Sequence, residues 1–155
     1  MADAPNIQPQ LDSRDYSQRF LGAWALVSCE HRWSSGEVVK LFGDDPLGLL
    51  LYETSGHMSA QLSVATPKRF AGEDFLQASD LEAAEAWRKY IGYWGTFQVY
   101  PDQSLIVHRV EGCSFANWIG TEQHRHFRFD DSNRLILEAE SPSGHTMLVW
   151  QKKSS

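Results

Sequence analysis

The sequence predicts an all-β protein: an antiparallel up-and-down β-barrel of eight to ten strands, with a short N-terminal helix and one inserted α-helix. Three observations predict it. Short segments are rich in β-branched and aromatic residues, turn residues separate them at regular intervals, and only one long segment has helical periodicity. A β-sandwich has the same local pattern, but a closed barrel is favoured because closure removes the exposed sheet edges.

The chain has 155 residues, which suits one domain with one core. We expect residues 13–153 to form that domain and residues 1–12 to form a flexible arm. The formal net charge of -6 does not favour a nucleic-acid or anionic-membrane partner. The sequence shows neither a spanning apolar run nor a secretion signal, so a cytoplasmic protein is expected, with Cys29 and Cys113 reduced.

The first elements can be assigned in order. The segment DSRDYSQRFLG is expected to form a short helix, with Asp12 or Ser13 as its N-cap and Gly22 at its end. A long strand over 22–33 follows, then a strand over 36–42. Segments 47–53 and 57–64 form a hairpin, because Gly56 in the loop between them supplies the left-handed residue that a three-residue turn requires.

The long helix is predicted over 79–93, with Ser79 as N-cap and Glu82 completing a capping box. It is expected to pack outside the barrel or across one mouth. One face carries its apolar residues, which are Leu81, Ala84, Trp87 or Arg88, and Ile91. Five further strands are predicted over 93–100, 104–110, 121–129, 134–140 and 146–152.

Hairpin register predicts which way the histidine of the sixth strand points. If Asp102 and Gln103 form the turn, Phe97 lies opposite His108, and facing residues point to the same side of the sheet. That side is otherwise apolar, whereas the other carries Thr96 and Arg109. We therefore expect His108 to point into the barrel.

The next hairpin predicts which side of the sheet the His-x-His motif faces. Its apolar phase places Arg125 inside with Phe127, and His124 and His126 outside. Two imidazoles on a strand exterior have no third ligand in the pattern, so no metal site is expected. The other histidines, at positions 31, 57 and 145, are expected at the surface.

The first strand offers a partner for a buried arginine. Its inward phase, set by Trp24, continues to Glu30, so that Glu30 would pair with Arg125 inside the barrel. A bulge in so long a strand would instead turn Glu30 outward. An internal ion pair without any function is the alternative interpretation of these buried polar groups.

Several segments resemble a known family. LGAWALVSCE is similar to the Gly-x-Trp opening of lipocalins, in which a tryptophan closes one end of the barrel, and LVWQKK places Lys152 where a basic residue would cover it. DDPLGLLLYETSGHMSAQL, YIGYWGTFQVY and VHRVEGCSFANWIGTEQHRHF resemble the lipocalin-like domain family of small single-domain bacterial and fungal proteins. The resemblance covers residues 21–152. Positions carried by the family pattern match His108, Asn117, Trp118, Gly120 and Arg125.

The resemblance implies natural-product chemistry, because some relatives are assigned cofactor-independent cyclisation or isomerisation. It predicts a cofactor-independent cyclase, isomerase or dehydratase acting on a hydrophobic polyketide, terpenoid or alkaloid intermediate. His108 or Glu30 would be the general acid/base, and Arg125 would stabilise negative charge. The residues expected to hold the substrate are Trp24, Tyr52, Met58, Tyr93, Phe97, Asn117 and Trp118.

The alternative function is a non-catalytic carrier or sensor of a small hydrophobic ligand, which needs the same cavity. No phosphate-binding glycine loop, Cys-x-x-Cys or hydrolase motif is present in the sequence, so no cofactor is expected. The expected partner is a hydrophobic small molecule, and a homodimer is left open.

Overall fold

The structure is a computed structural model that describes residues 13–154, with side chains described from residue 16. Nine strands form one antiparallel sheet. They are β1 (Gly22–Trp33), β2 (Val38–Lys40), β3 (Leu47–Tyr52), β4 (His57–Ser63), β5 (Tyr90–Tyr100), β6 (Leu105–Cys113), β7 (Glu122–Phe129), β8 (Leu135–Ser141) and β9 (Gly144–Lys152). Two α-helices accompany them, α1 (Ser13–Gln18) and α2 (Asp80–Arg88).

The sheet closes on itself. Consecutive strands from β3 to β9 pair as neighbours, β1 pairs with β3, and β9 returns to pair along β1 from Trp24–Lys152 to Trp33–Gly144. Eight strands therefore form an antiparallel up-and-down barrel, and short β2 pairs with the far end of β1. The predicted closed barrel is confirmed. Closure satisfies the backbone hydrogen bonds that an open sheet would leave at its edges.

Helix α1 and the start of β1 seal one end of the barrel. Phe20 is fully buried, and its carbonyl accepts a 2.7 Å hydrogen bond from the indole nitrogen of Trp24. The ammonium of Lys152 lies 4.5 Å from the Trp24 ring centre and donates to the Leu21 carbonyl. The tryptophan and its basic cover, which the resemblance implies, are both present. The predicted N-terminal arm and Asp12 lie outside the described residues.

A β-bulge in β1 corrects the prediction for Glu30. Leu26 pairs with Trp150 and Ser28 with Val149, so Val27 is an extra residue on β1. Because one extra residue reverses the alternation, Cys29 and His31 point inward and Glu30 lies between them on the outer side. Glu30 therefore does not pair with Arg125. His31, expected at the surface, is instead 4% exposed.

Helix α2 is shorter than predicted. The capping box is present, with the Ser79 hydroxyl accepting from the Glu82 backbone and the Glu82 carboxylate accepting from the Ser79 backbone. The helix ends at Arg88, because Tyr90 and the residues after it pair with β4. No α2 residue is buried, and Leu81 is 70% exposed. Neither described helix is long and apolar enough to cross a lipid bilayer.

The β5–β6 hairpin has the predicted register. Phe97 pairs with His108 and Val99 with Ile106, and the turn is a short 3-10 helix over Pro101–Gln103 with Ser104 in the left-handed region. This register directs His108 into the barrel, where it is fully buried. On β7, Arg125 is 9% exposed, whereas His124 and His126 are exposed on the outer face.

Candidate functional site

The end of the barrel opposite the Trp24 seal holds a cavity of about 720 Å³. Apolar side chains supply most of its wall, and polar groups enter from a few strands. The buried residues that line it are Cys29, His31, Leu50, Ala60, Leu62, Tyr93, His108, Arg125, Leu137 and Trp150. Its rim includes the exposed residues Trp87, Arg88, Phe115, Pro142 and Ser143. The volume lies within the range that binds drug-sized molecules, roughly 300–1,000 Å³.

His108 lies in the cavity wall between two tyrosines. The Tyr52 hydroxyl is 2.7 Å from its Nε2 atom, and the Tyr93 hydroxyl is 3.0 Å from its Nδ1 atom. The three side chains come from β3, β5 and β6 and are all buried. Both ring nitrogens are therefore satisfied within the protein.

Burial determines the protonation states of this trio. Desolvation, reinforced by the positive charge of Arg125, holds the pKa of His108 well below its usual 6.5. Burial also raises the pKa of Tyr52 and Tyr93 above 10, and Arg125 opposes the shift at both hydroxyls. At neutral pH all three groups are uncharged, so one tyrosine donates to the imidazole and the other accepts from it.

Arg125 is the buried cation of the cavity. Its guanidinium donates to the His124 carbonyl at 3.0 Å and lies 3.5 Å from the Gln123 side-chain oxygen. It also lies 5.7 Å from the centre of the Trp118 ring. Among the side chains described, those of residues 16–154, no carboxylate forms an ion pair with Arg125. The cavity wall thus carries a positive charge whose counterion the described chain does not supply.

His31 forms a second polar group in the cavity wall. Its Nδ1 atom is 2.8 Å from the Thr146 hydroxyl, and its Nε2 atom is 3.3 Å from the Ser143 hydroxyl. Its ring packs edge-on against Trp33, with the ring centres 4.6 Å apart. This imidazole is held by hydroxyls from β9 and the turn before it.

The structure separates the predicted site residues into two groups. His108, Arg125, Tyr93 and Trp118 come together at the cavity. Tyr52 is linked to it through His108. The remaining predictions do not line the cavity: Trp24, Met58 and Phe97 pack in the sealed half of the core, Asn117 is exposed, and Glu30 faces outward. The aromatic residues of the sealed half pack against one another.

Several cavity residues were missed by the sequence analysis. Ala60 and Leu62 follow Met58 at every second position of β4, so strand alternation alone could have identified them. Cys29 and His31 were not predicted to point inward, because the bulge in β1 reverses the strand alternation after Leu26. Trp150 lines the cavity from β9, and its indole N–H is the one buried side-chain polar group of the described chain without a hydrogen-bond partner.

The His-x-His motif lies on the outer face of the barrel, where His124 is 3.5 Å from the Glu122 carboxylate. No cluster of three or more histidine, cysteine, aspartate or glutamate side chains suited to a metal ion occurs in the part of the chain described here. The outward position follows from the same strand alternation that turns Arg125 inward.

The family model for the lipocalin-like domain matches residues 21–153. The chain is similar to the 4'-hydroxy-3'-methoxypropiophenone carrier protein ppsC of Aspergillus oryzae, with 40% identity over 107 residues that cover 61% of this chain and 96% of that protein. Among solved structures, a mutant of the fluorescent protein UnaG aligns over 90% of this chain and 99% of its own, with a TM-score of 0.41 and 10% identity.

Proposed function

The chain belongs to the lipocalin-like domain family, and from that premise we propose that it is a carrier that holds one small, mainly apolar ligand inside its barrel. The observation that carries this proposal is the cavity of about 720 Å³, walled by Leu50, Leu62 and Leu137 and open at a rim of exposed residues. A mostly apolar pocket with a few polar groups is the usual form of a small-molecule site.

The ligand class is proposed from the carrier relative and from the cavity together. That relative is named for 4'-hydroxy-3'-methoxypropiophenone, a single aromatic ring with oxygen substituents. In this chain Tyr93 and Trp118 form an aromatic corner, with their ring centres 5.6 Å apart, and Arg125 lies beside it. A small oxygenated aromatic molecule matches both the rings and the hydrogen-bond donor.

We prefer the carrier to the predicted cyclase or isomerase because neither residue predicted as the acid/base, His108 or Glu30, is free to act on a ligand in the cavity. Both nitrogens of His108 are bonded to tyrosines, and Glu30 is outside the barrel. Burial, with a smaller effect from Glu30, raises the pKa of Cys29 to about 12, so its thiol is not a nucleophile at neutral pH. A general acid or base needs a proton position that is open to the substrate.

The test is to titrate the protein with 4'-hydroxy-3'-methoxypropiophenone and follow binding by calorimetry. Ala139→Trp places a large ring at a cavity-lining position of β8 and should abolish binding, whereas Leu51→Trp, on the outer face of β3, should not. Recovered ligand should be chemically unchanged. Binding that is unaffected by Ala139→Trp would remove the cavity as the site, and conversion of the ligand would favour the isomerase.

A further inference from the structure

Building on the proposed carrier function, we propose that the ligand is recognised as an oxyanion, with its negatively charged oxygen on the Arg125 guanidinium and its aromatic ring against Trp118 and Tyr93. The ligand class is therefore an aromatic acid: a carboxylate, or a phenol or enol acidic enough to bind in its ionised form. This specifies the charge of the ligand, which the carrier proposal leaves open.

The first step is the charge of Arg125. The side chain is 9% exposed, lines the cavity and has no carboxylate partner among the described side chains of residues 16–154. Its hydrogen bonds go to uncharged oxygens, those of the His124 backbone, the Gln123 amide and the Tyr93 hydroxyl. A buried cation without a counterion is unfavourable, and an incoming anion removes that cost while forming charge-assisted hydrogen bonds.

The second step is the charge of the rest of the cavity. His108 remains neutral beside Arg125, since burial and the arginine both lower its pKa. The one acidic residue among the lining side chains of the described chain is Glu140, which lies 2.6 Å from the Nδ1 atom of His145. Arg88 adds a further positive charge on the rim. The cavity is therefore net positive in a chain whose formal net charge is -6.

The third step is geometric. Trp118 lies 5.7 Å from the Arg125 guanidinium carbon and 5.6 Å from the Tyr93 ring, so rings and cation share one corner of the cavity. Trp150 also lines the cavity, and its buried indole N–H has no acceptor within the described chain. A molecule with an apolar ring and an acidic oxygen supplies what this wall lacks, and a bare inorganic anion would leave the apolar lining unfilled.

The experiment compares two probes of the same shape, the aromatic carboxylate naphthoate and its uncharged methyl ketone counterpart, acetonaphthone. Both are titrated into the full chain at one neutral pH. We expect naphthoate to bind at least about tenfold more tightly, as charge-assisted hydrogen bonds predict. Arg125→Met should remove that preference, and Arg128→Met, which changes an exposed arginine on the outer face of β7, should retain it.

The outcomes separate this inference from the carrier proposal. If acetonaphthone binds as tightly as naphthoate, or if Arg128→Met removes the preference as Arg125→Met does, the oxyanion proposal is wrong while the carrier remains. If neither probe binds, the oxyanion proposal is wrong, and the carrier proposal fails with it if the propiophenone does not bind either. The comparison of probes in the wild-type protein needs no variant, so it decides the matter even if Arg125→Met does not fold.

Discussion

At the scale of single residues, the position of His108 was predictable and its partners were not. Replacement of a buried imidazole by phenylalanine, a ring of similar size, preserves stability only if no buried partner loses its hydrogen bond. The structure shows two such partners, the hydroxyls of Tyr52 and Tyr93. Because both hydroxyls are buried, that condition is not met at His108.

We now predict that His108→Phe lowers the free energy of unfolding by about 1 to 3 kcal/mol for each hydroxyl left without a partner. Adding Tyr52→Phe and Tyr93→Phe should recover much of that loss, since replacing a whole buried network with apolar groups is close to neutral. Urea denaturation of the single and triple variants measures both effects. A single variant as stable as wild type would contradict this account of the network.

The lowered pKa of His108 also predicts how stability depends on pH. The unfolded chain binds a proton at this side chain below about pH 6.5, whereas the folded protein does not. The free energy of unfolding should therefore fall as the pH decreases below 6.5, by at most about 1.4 kcal/mol per pH unit from this group.

His145 acts in the opposite direction, because Glu140, and more weakly Glu138, raise its pKa. The measurement to compare is therefore the slope of the free energy of unfolding against pH. It is compared between wild type and the triple variant His108→Phe, Tyr52→Phe, Tyr93→Phe. His126→Phe, on the outer face of β7, is the matched control for the loss of a histidine. Equal slopes in wild type and the triple variant would show that His108 is protonated in the folded protein.

At the scale of the elements, one residue of β1 decides which side chains enter the cavity. Val27 has no partner of its own on β9, so Val27 and Ser28 both lie toward the outside, and the inward series resumes at Cys29. A regular strand would have carried the series from Leu26 to Glu30. Because of the bulge, His31 lies in the cavity wall and the Glu30 carboxylate lies outside it.

The bulge predicts that deleting one residue has different effects on folding in β1 and in β4. Removing Val27 should leave a folded protein, because Leu26, Cys29 and His31 then alternate inward without interruption. Removing Ser59 from the regular strand β4 should leave the protein unfolded, because Ala60 and Leu62 would then point to the opposite side of the sheet from Met58. Denaturant titration of that variant should show no cooperative unfolding transition.

Circular dichroism and denaturant titration distinguish the two deletions, with Val27→Ala as the control for the lost side chain. That substitution is at a position 40% exposed and should change the free energy of unfolding by about 1 kcal/mol or less. If the Val27 deletion is unfolded while Val27→Ala is stable, the protein needs the curvature that the bulge gives to β1 in order to fold, and not only the change in which side chains point inward.

At the scale of the whole molecule, the barrel has a packed half and a hollow half. Phe20, Trp24 and Phe127 fill the sealed end, where Phe20 and Phe127 meet edge to face at 4.9 Å. Near the other end, the apolar walls of the strands enclose the cavity. Stability and ligand binding should therefore depend on different aromatic and apolar residues.

Three substitutions test that division. Met58→Ala, in the packed half, should lower the free energy of unfolding by about 2 to 5 kcal/mol and leave ligand affinity unchanged below its melting temperature. Trp118→Ala, at the cavity, should weaken binding with a smaller loss of stability, because this side chain is only partly buried. Phe97→Leu is a milder second change in the packed half. Loss of affinity in Met58→Ala would extend the site into the sealed end.

The sequence by itself determined the barrel, the β5–β6 register and the inward positions of His108 and Arg125. These follow from local rules: side chains alternate along a strand, and a tight turn sets which residues face each other. The capping box of α2 is equally local, so Ser79 and Glu82 were identified although the end of the helix was not.

Only the tertiary structure decided where the barrel is hollow and which polar groups meet. The bulge at Val27 arises from the pairing of β1 with β9, whose ends lie more than a hundred residues apart in the chain. Likewise, the contact of His108 with Tyr52 and Tyr93 joins three strands. Strand alternation predicts that Met58 and Leu62 both point inward, but whether a side chain meets another ring or an open cavity depends on what the opposite wall contributes.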